Sequence, residues 1–310
     1  MSDGPPMLSI VIAAYNAQST IGDTLRSIFA EAGDDDTFEV IVVDDGSADP
    51  AALRAALAGF PAVKLLTHAT NRGACAARNS AIAVSRGAVV AILDSDDVFV
   101  PGWRAIFKRI WDRVPASAHV CFSACRTPDG RYTVRNYGYE GWVTLADFMR
   151  GRYAGEYLTM FRGDYVRAKP FIESMSYENL SHLTWLQDGP YYVVPDIMRI
   201  YDDRRAGSLT NTILQRNRAQ AMMQGLEQEL ARFSGLYEQH APDMLAGKYL
   251  RLAVYARHAG DPRAWRFFRR GASLDAPVET LGGLIIMVAP FTSGLLVRGS
   301  KLIGLVKRHG

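Results

Sequence analysis

Over roughly the first hundred residues the hydrophobic positions switch repeatedly between two periods. Leu8 to Ala13 reads LSIVIA, an unbroken apolar run rich in β-branched residues, the pattern of a parallel strand covered on both faces. Ile21, Leu25, Ile28 and Phe29 then recur at helical spacing, with Ser19 or Thr20 as the cap and Gly33 as the stop. Phe38 to Val43 (FEVIVV) is a second buried strand and ends in Asp44-Asp45-Gly46-Ser47. A short helix over Ala51 to Leu57, a third strand over Val63 to Leu66 and a helix over Ala74 to Ser85, closed by Gly87, follow. Val89 to Leu93 is a fourth strand that runs into Asp94-Ser95-Asp96-Asp97. Strands alternating with helices predict a doubly wound α/β sheet. Its ligand site is expected at the carboxyl ends of the strands, where the polar clusters fall.

From Trp103 to about Asn211 the pattern is less regular. Strand-like pieces at His119 to Phe122, Leu158 to Phe161 and Tyr191 to Val194 lie among Gly- and Tyr-containing loops, which suits a mixed half-sheet that completes a cleft. After Thr212 the period is helical, with Leu226, Leu230 and Phe233 on one face. Met244 to Arg257 and Pro262 to Leu274 read as a helical hairpin joined at Gly260-Asp261. The chain therefore divides into 1–102, 103–211 and 212–310.

Composition narrows the class. Of 310 residues, 48% are hydrophobic and 22% charged, ordinary for a globular protein, and a net charge of +3 makes no case for nucleic acid. Three cysteines, Cys75, Cys121 and Cys125, are too few and too odd in number for a secreted disulfide framework. His119, Cys121 and Cys125 lack a second ligand pair at zinc-finger spacing, so buried thiols are the reading taken. Met1 to Pro6 has neither the basic nor the apolar region of a signal peptide, which places the expected activity in the cytoplasm.

Four polar signatures follow the strands in order: Ala14-Tyr15-Asn16, then Asp44-Asp45-Gly46-Ser47, then Asn71-Arg72-Gly73 with Ala77-Arg78-Asn79, then Asp94-Ser95-Asp96-Asp97. Together they resemble the family 2 glycosyltransferases, which have a GT-A fold and invert the anomeric centre. The resemblance covers roughly the first hundred residues closely; Ala14 stands where the family usually has proline. It implies that 1–102 is the nucleotide-sugar-binding half, 103–211 the acceptor-binding half and 212–310 a helical extension. It also implies that Asp45 accepts a hydrogen bond from the donor's base, uracil N3–H, and that Tyr15 stacks on or lines that base.

The chemistry needs these residue types. A nucleoside diphosphate leaves well only if its developing charge is neutralised, and a carboxylate-held Mn²⁺ or Mg²⁺ does this as a Lewis acid. Asp94 and Asp96 fall on the same side of an extended segment, as such a site requires, with Ser95 between them. Capping of the following helix is the competing reading for Asp97, and turn building for Asp44. Arg78, in the first turns of its helix, braces the carboxylates or meets the diphosphate, unless it is a surface arginine.

An inverting transfer also needs a base for the acceptor hydroxyl. By the resemblance it belongs to a Glu-Asp pair opening a helix in the second half. Here the segment is Ser176-Tyr177-Glu178-Asn179-Leu180. Either Asn179 replaces the family's base or Tyr177-Glu178 stands in for the pair; in both alignments Glu178 is the carboxylate present, with Asp188 the next candidate. Its competing reading is a first-turn glutamate favoured by the helix dipole. Tyr201 to Thr210 resembles the family's closing segment, in which Arg204 or Arg205 folds over the diphosphate.

The tail is apolar and then basic. Leu281 to Val297 carries no charge over 17 residues, short of the roughly 20 that span a bilayer, and Arg298, Lys301, Lys307 and Arg308 follow among apolar residues. It reads either as a segment lying on the inner face of the cell membrane or as a helix packed on the body. The expectation is a metal-dependent enzyme moving a sugar from a UDP-sugar to a saccharide or lipid-linked hydroxyl, in polysaccharide or glycolipid synthesis. Two rivals remain: a sugar-nucleotidyltransferase, against which Ala14 to Ala17 lacks the Gly-rich basic phosphate loop, and a binding module that has lost its base. A dehydrogenase fails for want of Gly-x-Gly-x-x-Gly.

Overall fold

A computed structural model describes residues 7–31, 37–173, 177–202 and 216–274. The described chain forms two compact units, Met1–Thr144 with Glu156–Asp203, and Leu145–Gly155 with Arg204–Gly310.

The first unit is built on a mixed sheet of nine strands. Strands β1 (Leu8–Ala14), β2 (Phe38–Asp44), β3 (Val63–Thr67) and β4 (Val89–Ile92) are mutually parallel in the order β3-β2-β1-β4. Their apolar runs are continuous because both faces are covered: Ile10, Val11 and Ile12 are all fully buried. Beyond β4 the sheet turns mixed. Strand β8 (Tyr157–Arg162) pairs antiparallel with β4 and with β6 (Val120–Arg126), and β9 (Tyr191–Ile200) pairs parallel with β6. Strands β5 (Val98–Phe99) and β7 (Gly141–Val143) each pair antiparallel with β9.

Helix α1 (Ile21–Phe29) buries Ile21, Leu25 and Ile28 against the sheet. Thr20 is its N-cap, but its hydroxyl does not cap the helix; it donates to the carbonyl of Ser95 at 2.9 Å, tying the helix start to the turn after β4. Helix α2 (Pro50–Leu57) has the expected chemistry, with Pro50 in its first turn and Asp49 accepting the Ala52 N–H at 2.9 Å. Helices α3 (Ala74–Val84) and α4 (Trp103–Trp111) follow β3 and β5. Trp103 is fully buried and donates from Nε1 to the Ile28 carbonyl at 3.2 Å.

Two expectations change. Strand β9 continues six residues past Val194, because the ladder bulges at Pro195-Asp196 instead of ending there. Asp97 caps no helix: the two-residue strand β5 follows it, and its carboxylate is buried.

Helix α5 (Leu145–Met149) belongs to the second unit, whereas α6 (Gly163–Ala168) and α7 (Asn179–Asp188) belong to the first. In the second unit α8 (Arg216–His240), α9 (Pro242–Ala259) and α10 (Ala264–Ala272) pack together. Gly260, left-handed at φ +78°, closes α9 by donating to the carbonyls of Ala256 and Arg257. Inside this unit the fully buried Lys248 Nζ lies 2.6 Å from Glu229 Oε1, which also accepts the Tyr237 hydroxyl at 2.7 Å. Among the described residues no helix is long and apolar enough to cross a membrane. The tail from Leu281, and Gly33, lie outside the described residues.

Candidate active site

The order of the parallel strands reverses between β1 and β4, and the loops at their carboxyl ends carry the four signatures. This is where open α/β sheets place a ligand crevice. Ala14 ends β1, buried, and its carbonyl accepts the Asp45 N–H at 2.8 Å. Tyr15, the next residue, is 52% exposed. Asn16 is left-handed at φ +53°; its N–H donates to Ser47 Oγ and its Oδ1 accepts from Ala48, both at 2.9 Å. Asp44 accepts the Ser47 N–H at 2.9 Å, so its carboxylate shapes the turn.

Asp45 is buried and holds the next loop. Its Oδ1 meets His68 Nδ1 at 2.6 Å and the Arg72 N–H at 3.0 Å, and its Oδ2 accepts the Gly73 N–H at 2.8 Å. His68 reaches Ser80 Oγ with its other nitrogen at 2.9 Å. Gly46 makes this approach possible. Its φ is +71°, and a Cβ there would stand 2.5 Å from the Thr70 carbonyl carbon and 2.6 Å from the Asn71 nitrogen.

Four carboxylates gather around two buried guanidiniums. Arg78, from the first turns of α3, places Nη2 2.9 Å from Asp94 Oδ1 and Nη1 2.5 Å from Glu178 Oε1. Arg199, from the end of β9, places Nη1 3.6 Å from Asp94 Oδ2 and 3.3 Å from Asp97 Oδ2, and Nη2 3.5 Å from Glu156 Oε2. The structure thus brings Arg78, Asp94 and Glu178 together. Ser95 and Asp96 lie in the same turn, and Asp96 is near enough to act on the charge of Asp97.

Burial opposes ionisation throughout this cluster; neighbouring charge overrides it at Asp94, Arg78 and Arg199, and burial prevails at Asp97, Glu156 and His182. Asp94 is held below its ordinary range, because Arg78 and Arg199 outweigh its burial. Asp97 is pushed up to about 8 by burial, with Asp94, Asp96 and Glu156 adding and Arg199 opposing. Glu156 is raised by burial and by Asp94 and Glu178, again against Arg199. Both arginines are raised despite burial, Arg78 chiefly by Glu178 and Asp94. His182, one turn into α7, is lowered to about 4 by burial. Four carboxylates face two guanidiniums here, a surplus of acidic over cationic groups.

That surplus fits a hard divalent cation with oxygen ligands. Asp94 and Asp96 are partly exposed on the turn and are the residues that would hold it. Among the described residues no three ligating side chains form a complete cage, so substrate oxygens or water would supply the rest of the shell, as is usual for Mg²⁺.

Sequence reasoning missed three participants. His68 and Glu156 stand in no motif, and Arg199 sits within an apolar strand whose bulge alone brings it to the site. Asp188 is at the far end of α7, about 15 Å along the helix from Glu178, where Tyr165 donates to it at 2.8 Å and Lys169 pairs with it at 2.6 Å. Arg204 and Arg205 lie outside the described residues.

The family model for Glycosyl transferase family 2 matches residues 9–166, just over half of the chain. The chain belongs to that family. A succinoglycan biosynthesis protein, ExoU, of Rhizobium meliloti is 42% identical over 100 residues, which are 32% of this chain and 28% of that one. The chain thus spans less than a third of this curated relative. The fold is of the GT-A type. Staphylococcus aureus TarS 1–349, solved with UDP-GlcNAc, matches with a TM-score of 0.60 at 19% identity, over 97% of this chain and 89% of that one. The mannosyltransferase PcManGT of Pyrobaculum calidifontis, solved with GDP-Man and Mn²⁺, matches with a TM-score of 0.53 at 18% identity, over 93% and 88%.

Proposed function

We propose that this family 2 member is an inverting, metal-dependent glycosyltransferase that moves a sugar from a UDP-sugar to a hydroxyl acceptor in polysaccharide or glycolipid synthesis. The observation that carries this reading is the guanidinium of Arg78, 2.9 Å from Asp94 and 2.5 Å from Glu178. One guanidinium thereby ties a donor-side carboxylate and the candidate base to the same point of the crevice.

In this reading Asp45 and the exposed ring of Tyr15 receive the base of the nucleotide at the ends of β1 and β2. Asp94 and Asp96 hold Mn²⁺ or Mg²⁺, which neutralises charge on the departing diphosphate. Glu178 accepts the proton of the acceptor hydroxyl as that oxygen attacks the anomeric carbon from the side opposite the diphosphate. Arg78 aims Glu178 from 2.5 Å, and Arg204 or Arg205 would pair with the diphosphate. Residues 1–102 serve the donor, 103–211 the acceptor, and the segment from Leu281 lies on the cytoplasmic face of the membrane. The Mn²⁺ complex of PcManGT and the role named for ExoU support the metal and the polysaccharide acceptor.

A panel of nucleotide sugars tests it. At a hundred times its Kd a ligand stabilises the fold by about 2.7 kcal/mol, so the right donor raises Tm with Mn²⁺ present, and UDP and sugar accumulate slowly in water. A chain stabilised by no nucleotide sugar, with or without Mn²⁺, refutes the reading. Stabilisation without donor turnover favours the binding module.

A further inference from the structure

The bulge in β9 has a specific product. Ser123 of β6 pairs with Val194, Ala124 with Ile197 and Cys125 with Arg199, so five residues of β9 advance while β6 advances two. Pro195, which has no N–H to give the ladder, lies in the first slip. Such slips bend a strand and re-aim the side chains beyond. Here the residue beyond is Arg199, with a side chain only 4% exposed.

Its surroundings are unusual for a structural ion pair. Three carboxylates from two separate segments face the guanidinium within 3.6 Å: Asp94 and Asp97 in the turn after β4, and Glu156 before β8. The Tyr201 ring lies 5.4 Å from it. The carboxylates grade outward from it, with Asp97 2% exposed, Glu156 34% and Asp94 40%. Arg199 is therefore the buried floor beneath an open ring of acids. Asp94 accepts a hydrogen bond from Arg78 at Oδ1 and faces Arg199 across 3.6 Å at Oδ2, so both oxygens keep lone pairs for a further partner. The planar guanidinium hydrogen-bonds Glu156 and pairs by charge with Asp94 and Asp97, spreading its charge across all three where a lysine ammonium would offer one compact point.

We propose that Arg199 is a positioning residue of the donor site: it fixes Asp94 and Asp97 so that the cation and diphosphate meet preset carboxylates. This rests on the metal reading above and concerns binding before any chemistry. It assigns the bulge at Pro195 a purpose, since a β9 in regular register would not bring this arginine to the turn after β4.

The test is UDP affinity, measured by calorimetry with and without Mn²⁺, for the parent and for Arg199→Lys and Arg199→Gln. The parent binds UDP more tightly with Mn²⁺. Each folded variant should lose at least about tenfold of that Mn²⁺-dependent gain, while its metal-free affinity, which belongs to Asp45 and Tyr15, stays within about twofold. A merely structural arginine would lower Tm and leave the gain intact wherever the variant is folded; that result overturns the proposal. If neither variant folds, Glu156→Gln loosens the guanidinium by removing one of its three partners. A few-fold smaller gain then supports the proposal, and an unchanged gain overturns it. A parent with no Mn²⁺-dependent gain overturns the metal reading and this proposal with it, whereas a gain kept by the variants overturns this proposal alone.

Discussion

Glu178→Gln isolates proton transfer from everything else the site does. The amide keeps the size of the side chain and an oxygen to accept from Arg78 Nη1, now 2.5 Å away. The carboxylate is 41% exposed but Arg78 is buried and keeps only Asp94 as its anion, so losing the charge should cost the fold about 1–3 kcal/mol. The lost chemistry is larger. Positioned general bases contribute about 10²–10⁴-fold, which is about 2.7–5.5 kcal/mol of barrier. In the proposed reading donor and cation meet Asp45, Tyr15, Asp94 and Asp96 instead, so UDP affinity with Mn²⁺ should stay within about threefold. The assay is turnover of the donor found by the panel, beside calorimetry of UDP binding on the same preparations. Turnover within about tenfold of the parent, with binding intact, refutes the assignment. Glu156, whose charge acts on both Asp94 and Glu178, would then be the carboxylate to replace next, ahead of the Lys169-bound Asp188.

Asp96→Asn should keep the fold and abolish the Mn²⁺-dependent part of UDP binding, read by calorimetry; unchanged binding would move the cation elsewhere. Lys248→Met should cost about 3–5 kcal/mol in urea unfolding, because Glu229 stays fully buried without its lysine. Adding Glu229→Leu should recover most of that loss, and a single variant as stable as the parent would show the pair to be inert. The full chain should sediment with anionic vesicles and be released by high salt, while a chain ending at residue 280 should stay in solution and still bind UDP. A full chain indifferent to such vesicles would refute membrane contact.

The first hundred residues were legible in the sequence because their physics is local. Parallel strands covered on both faces must be unbroken apolar runs, so LSIVIA and FEVIVV announced β1 and β2, and the polar residues that follow had to lie on the sheet's carboxyl edge. The second half depends on register, which composition does not encode. Pro195 read as the end of a strand, yet β9 passes it by bulging, and Arg199 reaches the acids only for that reason. Glu156 stood beside Gly155 with no period to mark it, and becomes visible once β8 pairs with β4 and β6. His68 was one polar residue past a short strand; its meaning came from Asp45, 23 positions earlier in the chain. Arg78 and Glu178 were each singled out alone, and no spacing rule could have joined residues a hundred positions apart.

Gly46 has a consequence for anyone who maps this gene by saturation mutagenesis. The atoms that a Cβ would strike are main-chain atoms of Thr70 and Asn71, which no rotamer change can move aside. Alanine is therefore excluded as firmly as tryptophan, and the position should score as invariant in an activity screen. It would be taken for a contact residue, although it has no side chain with which to touch a substrate. Its intolerance comes from the loop bearing His68, Arg72 and Gly73, which can close on Asp45 only where the neighbouring chain presents bare backbone.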